Sequence, residues 1–176
     1  MVVPGWIGAR SVKWVQRVTA RTLPSDGYFQ ATVYRLLPAD ADADADSATA
    51  GPGGGRSLGP VALNTEIRRP CAGASVPGGP TDVAGYAFAG DGRGVARVEV
   101  SADRGRTWAQ ADVDDQDGPW AWQLWQARMK LDPGPVTLTA RAWDTACAAQ
   151  PETAEHLWNP KGYVNNSWAH AEVTAQ

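Results

Sequence analysis

A chain of 176 residues, 43% apolar and 20% charged, has material for one compact domain and part of a second. Its net charge of −3 and pI near 5.3 give no electrostatic basis for binding nucleic acid or an anionic membrane. No apolar run approaches the roughly 18 residues of a membrane span, Met1-Val2-Val3-Pro4 lacks the features of a signal peptide, and Cys71 and Cys147 allow one bridge at most.

In chain order, apolar residues alternate over residues 11–20 and again over 28–36, which predicts extended segments or short strands. Residues 39–46 repeat Ala-Asp, and residues 47–55 are rich in glycine and small residues. Like charges at alternate positions with nothing apolar to bury predict a solvated, disordered linker over 39–60.

Beyond it, period-2 runs recur at 82–88, 95–100, 120–125, 136–143 and 167–174. Turn residues separate them, as in Gly90-Asp91-Gly92-Arg93-Gly94, Asp103-Arg104-Gly105 and Asp132-Pro133-Gly134. No segment of similar strength shows a 3.6-residue period. The pattern predicts a mainly β chain whose residues 61–176 form an immunoglobulin-like antiparallel β-sandwich. A long loop over 145–166, carrying Trp158, Lys161 and Tyr163, either folds back to bury Trp158 or reaches another domain.

Nine tryptophans stand out. Alternation places Trp120 and Trp122 on one face of their strand and Trp125 on the other. A sandwich core would bury such rings and a carbohydrate platform would expose them; burial is the expectation. Ser101-Ala102-Asp103-Arg104-Gly105-Arg106-Thr107-Trp108 matches the Asp-box hairpin of sialidases, in which aspartate ties the turn. It occurs once, where glycan-handling proteins repeat it, so a structural hairpin is expected.

Other motifs carry less. Gly90–Gly94 reads as a hairpin turn with no helix after it, and Gly53-Gly54-Gly55-Arg56-Ser57 lacks a phosphate-binding lysine. His156 and His170 show no metal-ligand spacing. Asn165-Asn166-Ser167 formally permits glycosylation, although the alanine- and glycine-rich composition resembles a bacterial chain.

The two ends of the chain are more specific. Val3-Pro4-Gly5-Trp6-Ile7-Gly8-Ala9-Arg10-Ser11-Val12-Lys13-Trp14 contains a glycine that permits close backbone approach, followed by two neighbouring cations suited to a phosphate. Read without relatives, the same string is a half-buried strand with two exposed cations. Near the other end stands Trp158-Asn159-Pro160-Lys161-Gly162-Tyr163-Val164-Asn165-Asn166-Ser167-Trp168. Together they resemble the last strip of the molybdopterin domain and the closing loop and strand of the dimerisation domain in the sulfite oxidase family.

That resemblance implies three parts: residues 1–38 as the C-terminal strip of an α+β molybdopterin-binding domain, 39–60 as linker, and 61–176 as a dimerisation domain. It implies that Arg10, Ser11, Val12 and Lys13 contact a molybdenum–molybdopterin cofactor, Lys13 foremost. It also implies that Lys161 attracts the oxyanion substrate, such as sulfite or nitrate, where sulfite oxidases usually carry arginine. Lysine keeps the charge but loses the planar two-pronged grip. Gln123 likewise stands where the family usually has arginine.

Cys71-Ala72-Gly73-Ala74 resembles the family's molybdenum-thiolate segment, yet it lies after the linker, whereas the family's cysteine lies far upstream; Cys71 is expected to be a small buried or turn residue. By this reading the chain begins where the catalytic domain is almost finished and holds no catalytic residue or metal ligand. It would supply a homodimer module to an oxygen-atom-transfer enzyme and be inactive alone, as a truncated, split or decayed gene product. The alternative is a non-catalytic β-sandwich serving in dimerisation or carbohydrate binding.

Overall fold

The structure is a computed structural model that describes residues 1–38, 55–157, 159 and 161–176. It divides into two compact units, Met1–Val61 with Ala154–Asn165, and Ala62–Thr153 with Asn166–Gln176.

In the first unit, Gly8–Arg10 make a single 3-10 turn and Phe29–Val33 a π-type turn. Strands β1 (Arg35–Leu36) and β2 (Arg56–Ser57) pair antiparallel, Arg35 opposite Ser57. Of the extended segments or short strands expected over 11–20 and 28–36, Arg35–Leu36 pairs as a strand, and Phe29–Val33 takes the π-type turn instead. A strand needs a neighbour to satisfy its backbone. Trp14 turns the chain at φ 50°, and the Tyr34 N–H closes back on the Phe29 carbonyl. The linker expected over 39–60 falls largely outside the described residues. Its last residues hold β2.

The second unit is a mainly antiparallel β-sandwich, as the alternation predicted. Its strands are β3 (Asn64–Arg69), β4 (Ser75–Val76), β5 (Gly79–Phe88), β6 (Val95–Ser101), β7 (Ala109–Gln110), β8 (Asp112–Val113), β9 (Gln123–Leu131), β10 (Gly134–Asp144) and β11 (Ala169–Ala175). One sheet has the order β4-β11-β10-β6-β7 and the other β3-β5-β9-β8. Every pairing is antiparallel except β4 with β11.

Alternate residues of both sheets meet in the core. Val83, Ala87, Ala127 and Leu131 come from one sheet, and Val98, Val100, Leu138, Ala140, Ala171 and Val173 from the other. Trp125 is its largest member, 2% exposed, with its indole N–H donated to Thr65 Oγ1 at 2.9 Å. Register places Gly85 directly opposite Trp125. A Cβ on Gly85 would stand 1.9 Å from the Glu66 carbonyl oxygen and 2.4 Å from the Trp125 ring, so only glycine admits the indole there.

The expected fate of the other two rings is corrected: Trp120 is 45% exposed and Trp122 63%. Strand β9 starts only at Gln123, so both rings sit in the approach to it. Alternation then turns Gln123 and Trp125 inward and leaves Leu124 outside with Trp122. Gln123 has become a core residue, its Oε1 accepting the Val95 N–H at 2.6 Å and its Nε2 donating to the Asp114 carbonyl at 3.0 Å. A neutral amide can satisfy both partners in a buried place, where an arginine would need a counter-charge.

Candidate functional site

The candidate residues lie in two turns of the first unit. The strip around Trp6 is clipped to residues 59–61: the Ile7 N–H bonds the Gly59 carbonyl and the Val61 N–H the Gly5 carbonyl. The 3-10 turn that follows aims Arg10 at the same segment. Its Nε and Nη2 donate to the Leu58 carbonyl at 2.9 and 2.6 Å, and Nη2 also reaches Ser57 Oγ at 2.5 Å. The guanidinium is therefore a brace for this corner.

Ser11 Oγ accepts the Val3 N–H at 3.3 Å, and Val12 exchanges hydrogen bonds with Met1 while its side chain is exposed. Lys13 is exposed. The four residues form a turn, and within it Arg10 braces the fold while Lys13 offers its ammonium to solvent. At Gly8 a Cβ would meet nothing within 4 Å, so the backbone there is approachable. A cleft of about 940 Å³ opens in this unit, lined by Arg10, Arg35 and Arg56 with Trp6, Gln30 and Ser57. Arg35 donates to the Gly55 carbonyl at 2.6 Å.

The second turn follows a short 3-10 helix, Ala154–Leu157. Trp158, the ring expected either to be buried or to reach another domain, lies outside the described residues. Asn159 is buried and shapes the turn: its Oδ1 accepts the Lys161 N–H at 3.0 Å and its carbonyl the Gly162 N–H at 2.8 Å. Gly162 takes φ 66°, which glycine adopts without strain. Lys161 is presented, exposed, at the tip. Tyr163 packs on Tyr34 at 6.1 Å between ring centroids.

Asn159 was not singled out from sequence, although an asparagine two residues before the turn's tip is the signal for such an Asx turn. Its Nδ2 is buried with no hydrogen-bond partner among the described residues. Gln150 was missed as well. It is a buried amide whose Oε1 accepts the Ala142 N–H at 3.0 Å and whose Nε2 donates to the carbonyls of Asn166 and Ser167, fastening the returning chain to β10.

The remaining motifs resolve as structure. Asp103 Oδ1 accepts the N–H groups of Arg106 and Thr107 and the Ser101 hydroxyl, and Oδ2 accepts the Thr107 hydroxyl. These bonds, the Thr107 hydroxyl first, hold its carboxyl well below the usual range. Both oxygens are spent on the turn, as the hairpin reading expected. Cys71 accepts the Ala74 N–H in a turn, and both cysteines are exposed and unpaired. Among the described residues no group of three or more histidine, cysteine, aspartate or glutamate side chains could hold a metal ion. The first unit thus offers an exposed ammonium at Lys13 and an approachable backbone at Gly8, groups whose chemistry suits a phosphate.

Comparison with known proteins finds two family models along the chain. Residues 61–176 match the Mo-co oxidoreductase dimerisation domain, and residues 1–29 the oxidoreductase molybdopterin binding domain. The mitochondrial sulfite oxidase of Mus musculus is 32% identical over 98% of this chain and 32% of its own length. Inducible nitrate reductase [NADH] 2 of Glycine max is 35% identical over 96% of this chain and 20% of its own. The sulfane dehydrogenase SoxCD of Paracoccus pantotrophus is a structural neighbour, with TM-score 0.78, 25% identity, and coverage of 99% of this chain and 45% of that one. The chain thus spans about a third of the length of the sulfite oxidases it matches. Through the dimerisation domain of residues 61–176, the chain belongs to the sulfite oxidase family of molybdopterin oxidoreductases.

Proposed function

We propose that this chain is the C-terminal portion of a sulfite oxidase-like molybdopterin oxidoreductase acting on a small oxyanion by oxygen-atom transfer. The observation that carries the reading is the order of the two family matches, a molybdopterin-binding strip at 1–29 followed by a dimerisation domain at 61–176. In this reading residues 1–38 belong to the cofactor domain, 39–60 link, and 61–176 pair two copies in a homodimer. The alanine- and glycine-rich composition resembles that of a bacterial chain.

Arg10, Ser11, Val12 and Lys13 are the cofactor-facing strip. Lys13 supplies the positive charge to the phosphate, because Arg10 is committed to Leu58 and Ser57. Lys161, held out by the Asn159 turn, attracts sulfite or a similar anion as a point charge. Molybdenum, when bound, supplies the oxygen-atom transfer. The chain's own residues bind and orient, and the 176 residues alone do not turn over substrate.

Metal analysis of the purified 176-residue chain tests this. The expected result is far less than one molybdenum per chain. One molybdenum per chain would overturn the reading.

A further inference from the structure

Arginines on the two outer faces of the sandwich have different fates. On the β4-β11-β10-β6-β7 sheet they are engaged: Arg141 lies 3.8 Å from the Trp108 ring centroid and donates to Glu99 at 2.9 and 2.7 Å, and Arg97 covers Trp143 at 3.9 Å. On the β3-β5-β9-β8 sheet Arg128 pairs with Asp82 at 2.9 Å. Arg68 and Arg69, exposed at the end of β3, make no hydrogen bond or ion pair through their side chains among the described residues.

A break in register puts both on one face. Alternation along β3 buries Thr65 and Ile67 and exposes Glu66 and Arg68, so a regular strand would turn Arg69 into the core. The pairing with β5 shifts between Ile67 and Arg69, and this irregularity leaves both side chains outside. Bulges at sheet edges re-aim side chains in this way, and β3 is an edge strand.

Beside the two arginines the face is hollowed. Ala84 stands opposite Arg69 on one side and Gln126 on the other, a short side chain between long ones. A depression of about 260 Å³ opens there, lined by Arg68, Arg69, Tyr86, Leu124 and Gln126. Trp122 extends the wall, its ring 5.1 Å from that of Tyr86, and Leu124 is 55% exposed. At the far end stands Asp114, just after β8, whose carboxylate likewise has no partner among the described residues. Glu66 shares the face but not the lining of the hollow. The depression thus has two cations at one end, a carboxylate at the other and an apolar trough between them. A simple anion is drawn by the arginines and repelled by Asp114, and a simple cation the reverse; a zwitterion satisfies both ends.

We propose that this hollow binds a small zwitterion of the ω-amino acid class. Its carboxylate lies on Arg68 and Arg69, its ammonium on Asp114, and its methylene chain along Leu124 and the wall of Tyr86 and Trp122. Strands β3 and β8 are three strand spacings apart, about 14 Å. A charge-assisted bond of about 2.8 Å at each end leaves about 8 Å between them, the extended length of a chain such as 6-aminohexanoate. The whole site lies in the second unit and calls on neither the cofactor strip nor Lys161.

Calorimetric titration of the full chain with 6-aminohexanoate tests the proposal, with circular dichroism confirming that each variant folds. Saturable binding is expected, with hexanoate and hexylamine at least about ten-fold weaker, because each leaves one end of the hollow unpaired. Asp114→Asn should weaken 6-aminohexanoate about ten-fold, and Arg68→Ala combined with Arg69→Ala by at least as much. Ala84→Leu fills the hollow without touching a charge and should abolish binding. Arg128→Ala, on the same face but outside the hollow, should leave it unchanged.

Absence of saturable binding by the wild-type chain overturns the proposal. Hexanoate or hexylamine binding as tightly as 6-aminohexanoate overturns it too, since one end would then suffice. Binding that survives in both Asp114→Asn and Ala84→Leu would place the ligand elsewhere and equally sink it.

Discussion

The sandwich and the first unit are held together by different forces. In the sandwich, alternate residues of two sheets bury Trp125, Leu131, Leu138 and their neighbours in one continuous core. In the first unit, Leu37 and Leu58 are the buried apolar residues among those described, whereas Trp14 is 91% exposed, with Val18 and Leu23 also open to water. What holds that unit is a set of backbone bonds, the Arg10 brace and ring contacts running from Tyr28 through Phe29 and Tyr34 to Tyr163. Apolar burial is cooperative and scales with area, while a hydrogen bond exchanged against water contributes about 1 kcal/mol net. The unit carrying the cofactor and anion candidates is thus the one with the least core.

The largest test of this contrast is Trp125→Ala. Removing a buried indole and its bond to Thr65, whose hydroxyl still donates to the Tyr86 carbonyl, should cost about 3–5 kcal/mol and show as a marked fall in Tm on calorimetry. Gly85→Ala should follow at about 1–3 kcal/mol, since its methyl enters the same indole and the Glu66 carbonyl. A mild result in both would mean that the sandwich core is looser than its burial suggests.

Arg10→Ala should act locally. It leaves the Leu58 carbonyl without its charged donor, at about 1–2 kcal/mol, and should speed amide exchange in Ile7 and Val61 while the main unfolding transition of the sandwich stays in place. A matching loss of the main transition would show that the two units unfold together.

The smallest effect concerns acid. Asp103 is depressed in the folded state, so its stabilisation is complete above the unfolded carboxylate value near 3.9 and is lost as pH falls through the folded one. Asp103→Asn should flatten the acid side of the stability curve relative to wild type, read from denaturant midpoints between about pH 2 and 5. An unchanged slope would show that the turn is not tied through its charge.

How much of this was legible follows the same division. Strands β5, β6, β10 and β11 were readable because each is at least seven residues long and turns alternate residues to a buried face along part of its length. Strands β4, β7 and β8 have two residues each, too few for any period to appear. β3 has two buried residues, Thr65 and Ile67, which leaves its signal below notice. Lys13 and Lys161 were legible as charges in distinctive strings, but not the Arg10 brace or the Asn159 turn, because their partners are set by the path of the chain.

By itself, then, the sequence determined the β class, the hairpin turns and the membership of the family, because these rest on local alternation, turn chemistry and short strings of particular residues. Tertiary structure alone decided that Gly85 yields its place to Trp125, that Gln123 is buried between Val95 and Asp114, and that Trp122 and Leu124 stand uncovered. Each of those outcomes depends on register between strands far apart in the chain. A shift of one residue would exchange inside for outside.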